Sequence, residues 1–231
     1  MSILRTVAVQ KTYSTRGIET QALNGVDLTI EAGEFTALAG PSGSGKTTLL
    51  NLLGALDVPT SGKVLLDEED LASLTSAELS ERRLHKLGFV FQAYNLIPVL
   101  NAAENVEFVL ELQGIKPHER RQRASQLLER VGLAEMAKKR PPEMSGGQQQ
   151  RVAVARAIAS EPQVILADEP TANLDSTTAR NLLDLMQQLN QEEGTTFLFS
   201  SHDPLVLEKA KRRILLRDGL IEGEEQGPYK T

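Results

Sequence analysis

Residues 40–47, Gly40-Pro-Ser-Gly-Ser-Gly45-Lys46-Thr47, fit the phosphate-loop pattern G-x-x-x-x-G-K-[ST]. Its glycines let the backbone curl so that successive N–H groups point inward at phosphate oxygens. The apolar run Phe35–Ala39 before it predicts a buried strand, and the leucines after Lys46 predict a helix whose N-terminus favours anions. Lys46 adds a point charge, and the Thr47 hydroxyl is a hard oxygen ligand suited to Mg²⁺. An accidental glycine-rich turn is the alternative, and the flanking strand and helix argue against it.

Two acids end a second apolar run, Val164-Ile-Leu-Ala-Asp168-Glu169. A continuous apolar run of this length is typical of a central parallel strand. Because neighbouring side chains alternate along an extended segment, Asp168 can hold Mg²⁺ while Glu169 polarises an attacking water. Acids are also common at solvated strand ends, so the pair alone leaves both interpretations open. With a phosphate loop upstream, the pair becomes the expected second half of a site for NTP hydrolysis.

Composition excludes several classes of protein. The chain has 231 residues, of which 40% are apolar and 24% charged, as in an ordinary globular protein. Its net charge of −6 argues against generic nucleic-acid binding, and the lack of cysteine excludes disulfides, thiolate metal sites and cysteine nucleophiles. No run reaches the roughly 18 apolar residues of a membrane span, and residues 1–9 break their apolar run too early for a signal peptide. We therefore expect a cytoplasmic chain, or one that reaches a membrane only through a partner.

Strands alternate with helices along the chain, which predicts an α/β fold with a largely parallel sheet. The expected strands are 3–9, 26–30, 35–39, 63–66, 164–167, 196–200 and 213–216, and the expected helices are 70–86, 118–140, 151–160, 176–192 and one from residue 46. The polar stretch 11–21 is expected to separate the first two strands, and the acidic stretch 222–225 to be a loose terminus. The helix-rich middle, about 93–157, is interpreted as an inserted helical subdomain.

A third motif, Met144-Ser-Gly-Gly-Gln148-Gln-Gln-Arg151, heads a further helix. A serine, two glycines and a helix N-terminus form another anion site, and an ordinary helix capped by Ser145 is the alternative. The guanine-reading motif Asn-Lys-x-Asp of GTP switches is absent from the sequence. With Ser145 placed 23 residues before Asp168, the chain resembles the nucleotide-binding subunits of ATP-binding-cassette (ABC) transporters. Their signature is Leu-Ser-Gly-Gly-Gln, and Met144 stands at the leucine position.

The resemblance covers about residues 3–222 and implies a fold. That fold is a P-loop NTPase: an ABC cassette with a RecA-like core, an N-terminal antiparallel β subdomain and an inserted helical subdomain. Residues 1–231 would form a single ATP-binding domain. Its core would be about 1–92 and 158–231, and its helical subdomain about 93–157.

The resemblance also implies roles for individual residues. The expected ATP-binding residues are Tyr13, Gly40, Pro41, Ser42, Gly43, Ser44, Gly45, Lys46, Thr47 and Thr48. The expected catalytic residues are Glu169, His202 and Gln92, and the expected Mg²⁺ ligands are Thr47, Gln92 and Asp168. The signature residues expected to act on the partner's ATP are Ser145, Gly146, Gly147 and Gln148, and Asp175 belongs to the dimer-interface loop. Each has a plainer alternative: Tyr13 as a packing residue, Gln92 as a surface glutamine, His202 as a structural histidine, and Asp175 as a helix N-cap.

The implied reaction is ATP + H₂O → ADP + phosphate. The resemblance further implies a head-to-tail homodimer around two ATP molecules, with Mg²⁺ as cofactor. The dimer would drive an integral membrane permease, with the chain held at the cytoplasmic face of the inner membrane through that partner. No nucleic-acid partner is expected.

Within the family, the segments Leu87-Gly-Phe-Val-Phe-Gln92 and Phe199-Ser-Ser-His-Asp-Pro204 are most similar to lipoprotein-releasing and macrolide-export systems, although Ala172 replaces the usual glycine. Amino-acid importers and the cell-division complex share much of this pattern. A non-transport ABC ATPase acting on DNA or ribosomes is a further alternative, and so is a binder that uses ATP only as a switch. The 122 residues between Lys46 and Asp168 leave no room for the long coiled coil of DNA-organising relatives, and the single cassette argues against the two-cassette translation factors. Intact Glu169 and His202 argue against the switch.

Overall fold

The computed structural model describes residues 1–15 and 17–227, which contain ten strands and seven α-helices. The strands are β1 (Ser2–Thr15), β2 (Ile18–Glu31), β3 (Phe35–Ala39), β4 (Ser61–Leu66), β5 (Glu69–Asp70), β6 (Leu87–Val90), β7 (Val164–Asp168), β8 (Thr196–Ser201), β9 (Arg212–Arg217) and β10 (Leu220–Gln226). The helices are α1 (Lys46–Leu53), α2 (Ser76–Lys86), α3 (Ala102–Leu112), α4 (Pro117–Arg130), α5 (Gly146–Ala159), α6 (Ser176–Glu193) and α7 (Pro204–Leu207).

A six-stranded sheet in the order β10-β9-β3-β8-β7-β6 forms the core. All neighbouring pairs are parallel except β9 and β10. Every residue of β3 and β8 is buried, as expected for central strands covered on both faces. Leu38 and Leu198 pack on one face among the leucines of α1, and Phe35 and Phe197 pack on the other face against α6. This confirms the predicted α/β fold with a largely parallel sheet.

A second, four-stranded antiparallel sheet has the order β2-β1-β4-β5. The prediction that the polar stretch 11–21 separates two short strands is wrong, because β1 and β2 form one long hairpin that pairs from Ser2↔Glu31 to Thr15↔Ile18. An antiparallel sheet tolerates one solvated face, so backbone pairing continues where the apolar pattern stops. Lys11 lies within this polar stretch and is buried against Asp57, with Nζ 2.7 Å from Oδ1.

Helices α3, α4 and α5 share their own apolar cluster, which includes Val106, Leu110, Leu128 and Val152.

Two expected helices are shorter than predicted. Helix α2 begins at Ser76 because Thr75 and Glu78 form a capping box, and α4 ends at Arg130 before Gly132, whose φ is +71°. Helix α5, by contrast, begins five residues before the predicted start, at Gly146.

The expected loose acidic terminus is also corrected, because residues 220–226 form strand β10, antiparallel to β9. Cross-strand ion pairs neutralise its acids: Arg212 meets Glu224 at 2.7 Å, and Arg213 meets Glu225 at 3.4 Å. Opposite charges facing each other on paired strands stabilise a sheet.

Within the described ranges, no helix combines the length and apolar character needed to cross a bilayer.

Candidate active site

The candidate site lies at the carboxyl ends of three adjacent parallel strands. Strand β8 runs between β3, which leads into the phosphate loop, and β7, which ends at Asp168. Ligands of open α/β sheets bind outside these strand ends. A cleft of about 400 Å³ opens there. Its lining comprises Thr20, Gln21, Ala22, Ser42, Gly43, Gly45, Lys46, Thr47, Thr48, Gln92, Glu169, Ala172 and His202.

The phosphate loop leads into α1 from a left-handed residue, Gly45, with φ +104°. A Cβ at Gly45 would lie 2.6 Å from the carbonyl oxygen of Ala22, so only glycine fits. Among the described residues, no side chain caps α1, which leaves its first N–H groups for an anion. The buried Lys46 ammonium donates to the carbonyls of Gly40 at 2.8 Å and Pro41 at 3.0 Å. Ser44 is buried within the loop.

The two acids at the end of β7 have different partners. The Asp168 carboxylate accepts hydrogen bonds from Thr47 Oγ1 at 2.9 Å and from Ser200 Oγ at 2.6 Å. Glu169 Oε1 lies 2.8 Å from His202 Nδ1 and 3.9 Å from Lys46 Nζ. A φ of +44° at Glu169 turns the chain sharply after Asp168. The two side chains therefore separate, Asp168 toward Thr47 and Glu169 toward His202.

The oxygen donors in the cleft fit Mg²⁺. Thr47 and Gln92 line the cleft, and Asp168, which is not part of the lining, offers a further hard oxygen 2.9 Å from Thr47 Oγ1. Mg²⁺ is usually bound by one or two carboxylates together with substrate phosphates rather than by an all-protein cage. Across residues 1–15 and 17–227, no group of three or more His, Cys, Asp or Glu side chains could hold a metal. The donor set thus suits a cation that arrives with a nucleotide.

The segment after Gln92 is held by an arginine that sequence reasoning missed. Tyr94 and Asn95 have φ values of +61° and +49°, and their carbonyls accept from Arg156 Nη2 at 3.0 Å and Nη1 at 2.5 Å. Burial lowers the pKa of Arg156 from its ordinary value. The carbonyl of Gln92 also accepts from Asn173 Nδ2 at 3.0 Å. An arginine within an otherwise apolar helical stretch was the available sequence signal.

The signature residues lie outside the cleft of their own chain. Within the described chain, none of Ser145, Gly146, Gly147 or Gln148 lines it. Ser145 caps α5 by accepting from the Gln148 N–H at 3.3 Å, so the helix-cap alternative describes its local structure. A Cβ at Gly147 would lie 2.4 Å from Thr178 Cγ2, which explains that glycine by close packing.

Asp175 and Tyr13 both have structural partners. Asp175 caps α6, and its hydrogen bond from the Thr178 hydroxyl lowers the pKa of its carboxyl. The Tyr13 hydroxyl donates to Asp57 Oδ2 at 2.9 Å, and the Lys11 ammonium lies 4.8 Å from the centre of its ring. Tyr13 is not among the residues that line the cleft, although Thr48 is. Adenine stacking on Tyr13 stays a prediction.

Comparison with known proteins agrees with this geometry. The family model described as ABC transporter matches residues 23–172. The lipoprotein-releasing system ATP-binding protein LolD 1 of Rhodopseudomonas palustris is 45% identical over 223 residues, covering 96% of this chain and 99% of that protein. The macrolide export ATP-binding/permease protein MacB of Syntrophobacter fumaroxidans is 46% identical over 226 residues, covering 97% of this chain but only 32% of that protein.

A solved structure has the same fold. The dimeric post-hydrolysis state of the ATP-binding cassette MJ0796, bound to ADP and phosphate, superposes with a TM-score of 0.91 at 44% identity and covers 97% of this chain and 98% of its own. These findings confirm the fold and the family that the motifs around Lys46, Ser145 and Asp168 predicted. This chain belongs to the ABC transporter family, in which it is an ATP-binding domain with ATPase activity.

Proposed function

We propose that this chain hydrolyses MgATP as a head-to-tail homodimer and thereby drives an integral membrane permease. The observation that carries the dimer is the separation of two anion-binding helix N-termini within one chain. Helix α1 opens into the cleft, whereas α5, which Ser145 caps, begins outside it. Two copies placed head to tail would bring the α5 terminus of one against the phosphates held by the other. The similar cassette MJ0796, which is dimeric in its ADP- and phosphate-bound state, supports a dimer.

The predicted site residues have the following proposed tasks. Lys46 and the phosphate loop bind the β- and γ-phosphates, and Thr47, Asp168 and Gln92 hold Mg²⁺, which would neutralise the charge that develops on the phosphates. Glu169 orients and polarises the attacking water. His202 keeps the Glu169 carboxylate in place, since its Nδ1 lies 2.8 Å from Oε1, and it approaches the γ-phosphate. Tyr13 provides the face for adenine, and Asp175 contributes to the dimer interface.

The dimer makes hydrolysis depend on protein concentration. At concentrations below the dimer dissociation constant, the rate per chain should rise in proportion to total chain, because only the paired species completes the site. Steady-state phosphate release over a hundredfold range of concentration tests this. ATP binding by the single chain, measured with a fluorescent analogue, should stay independent of concentration. A rate per chain that is constant over the whole range would mean that one chain hydrolyses ATP alone.

A groove beside the Gln92 segment supports the membrane partner. It measures about 480 Å³ and lies between α2, α3 and the end of β6, where the proposed helical subdomain (about 93–157) meets the core. Three exposed apolar side chains, Leu56, Phe108 and Leu112, line it. Exposed apolar groups that cluster in a groove are typical of protein interaction sites. A cytoplasmic helix of the permease fits this groove, which would place the chain at the cytoplasmic face of the inner membrane.

Charged substitutions in this groove should separate partner binding from hydrolysis. Changing both Phe108 and Leu112 to glutamate should reduce recovery of the permease with the tagged chain by about tenfold or more, since two buried apolar contacts would become buried charges. ATP hydrolysis by the purified chain should change less than about twofold, because neither residue lines the cleft. Val99→Glu is the matched control, as Val99 is 70% exposed and outside the groove. Undiminished recovery of the permease would place the partner elsewhere.

We also propose that the chain serves a transport system of the lipoprotein-releasing or macrolide-export type. Relatives with those names match 92–97% of this chain at 42–46% identity. Affinity purification of the tagged chain from solubilised native membranes, with mass spectrometry, tests the proposal. A membrane protein with four helices and a large external domain is the expected partner. A many-helix permease with a solute-binding protein would indicate an importer, and recovery of ribosomes or DNA alone would exclude transport.

A further inference from the structure

We propose that Ser200 is a positioning residue of the hydrolytic site, whose hydroxyl sets the Asp168 carboxylate and the Glu169 backbone in one arrangement and thereby strengthens the binding of Mg²⁺ with ATP. The inference rests on the proposed roles of Asp168 and Glu169. Ser200 itself touches neither nucleotide nor water in this scheme, because it is fully buried.

The position of Ser200 follows from the register of the core sheet. Strand β8 pairs with β7 so that Ser200 lies directly beside Asp168. Ser200 is therefore at the same level of the sheet as the acid proposed to hold Mg²⁺, and His202 follows two residues later at the opening of the cleft. Within β8, Ser200 follows the apolar run Phe197-Leu-Phe199 and is fully buried, so its hydroxyl needs partners inside the protein.

The Ser200 hydroxyl makes two hydrogen bonds within the site, one as donor and one as acceptor. Its proton goes to Asp168 Oδ1 at 2.6 Å, and its oxygen accepts the Glu169 N–H at 2.9 Å. Short O–H···O⁻ bonds of this length are among the stronger hydrogen bonds in proteins. Glu169 has a left-handed backbone with φ +44°, which a non-glycine residue adopts only when its surroundings hold it there. Ser200 is one of the groups that hold it.

The two oxygens of the Asp168 carboxylate have different surroundings. Oδ1 lies 2.6 Å from Ser200 and 3.1 Å from Thr47, whereas Oδ2 lies 2.9 Å from Thr47. With Oδ1 engaged by Ser200, Oδ2 is the oxygen left to share a cation with the Thr47 hydroxyl. Loss of the Ser200 hydroxyl would let the carboxylate rotate and would remove the side-chain partner of the Glu169 N–H. Both effects should lower the affinity for Mg²⁺ more than the affinity of the phosphate loop for the nucleotide.

The test separates metal affinity from nucleotide affinity in the purified full chain. In Ser200→Ala, ATP affinity measured in EDTA should stay within about twofold of the parent, because the phosphate loop keeps its contacts. Mn²⁺ affinity of the ATP-bound chain, measured by electron paramagnetic resonance, should fall about tenfold, as expected for one lost hydrogen bond to a charged group. The kcat should fall about tenfold with little change in KM for ATP. Ser200→Thr should restore most of the loss, since it keeps the hydroxyl.

Thr196→Val is the matched control, because it removes a buried hydroxyl from the same strand. Thr196 Oγ1 accepts the Gly33 N–H at 3.0 Å, at the end of β8 away from the site. Thr196→Val should lower the unfolding temperature without changing Mn²⁺ affinity. Ser200→Cys keeps the side-chain size with a weaker donor and repeats the comparison should the alanine variant fold poorly. Mn²⁺ affinity and kcat within twofold of the parent in Ser200→Ala would overturn the proposal.

A Glu169→Gln variant in the same assays distinguishes this inference from the proposed function. If Glu169→Gln keeps normal turnover, the assigned role of that acid fails and the Ser200 proposal fails with it. If Glu169→Gln is inactive while Ser200→Ala behaves like Thr196→Val, the site assignment stands and only the role of Ser200 is overturned.

Discussion

Replacing Glu169 by glutamine should lower kcat for ATP hydrolysis by about 100-fold or more while ATP affinity stays within about twofold. The amide is nearly isosteric with the carboxylate and still accepts a hydrogen bond from His202, whose Nδ1 lies 2.8 Å from Oε1. It cannot take a proton from water, and it loses the charge that Lys46 Nζ approaches at 3.9 Å. The phosphate loop and Asp168 are unchanged in this variant. We therefore expect ATP binding to be retained and ATP hydrolysis to be lost.

The measurement combines phosphate release with gel filtration in the presence of MgATP. In the proposed cycle, hydrolysis opens the ATP-bound dimer, so the variant should accumulate as that dimer, whereas the parent should show it only briefly. Glu161→Gln is the matched control, since Glu161 is also a glutamate with positive φ, +53°, but lies outside the cleft and pairs with Arg123. Glu161→Gln should hydrolyse ATP at the parental rate. Near-normal turnover by Glu169→Gln would exclude it as the base.

The parts of the site that sequence alone could predict are those encoded by consecutive residues. The phosphate loop needs its glycines because neighbouring backbone atoms approach too closely for a Cβ, as at Gly45, and that requirement is visible in a short pattern. The acids at the end of β7 follow one continuous apolar run. Ser145 was recognisable as a helix N-cap from the sequence around it, and the structure has that cap.

The parts that could not be predicted depend on pairing between distant segments. The role of Ser200 follows only from the register of β7 and β8, which brings it beside a residue 32 positions earlier. Arg156 donates hydrogen bonds to the carbonyls of Tyr94 and Asn95, about 61 residues earlier in the chain. No sequence pattern predicts the left-handed backbone of that segment. Strand β10 was missed because its acids indicate a solvated tail unless the arginines of β9 are known to face them.

A second large effect is expected for Ser145→Arg. This variant should fail to form a dimer with MgATP, and its rate of ATP hydrolysis should fall by about 100-fold or more. In the proposed dimer, the bulky arginine side chain would occupy the space of the γ-phosphate bound by the partner. Ser145 lies at the start of α5 and outside the cleft of its own chain, so that chain's phosphate loop stays intact. ATP binding by the single chain should therefore remain within about twofold of the parent. Sedimentation velocity with MgATP in a Glu169→Gln background measures the dimer directly.

Loss of the helix cap is the competing explanation, and a second capped helix separates it from loss of the interface. Thr75 caps α2 through the same kind of capping box, with Oγ1 3.3 Å from the Glu78 N–H, as Ser145 Oγ lies 3.3 Å from the Gln148 N–H. Removing either cap costs about 1 kcal/mol of stability. Thr75→Arg should therefore lower the unfolding temperature as Ser145→Arg does, yet still dimerise and hydrolyse ATP. If ATP binding by the single chain is lost in Ser145→Arg but not in Thr75→Arg, the signature acts on its own chain's nucleotide and the head-to-tail dimer is wrong.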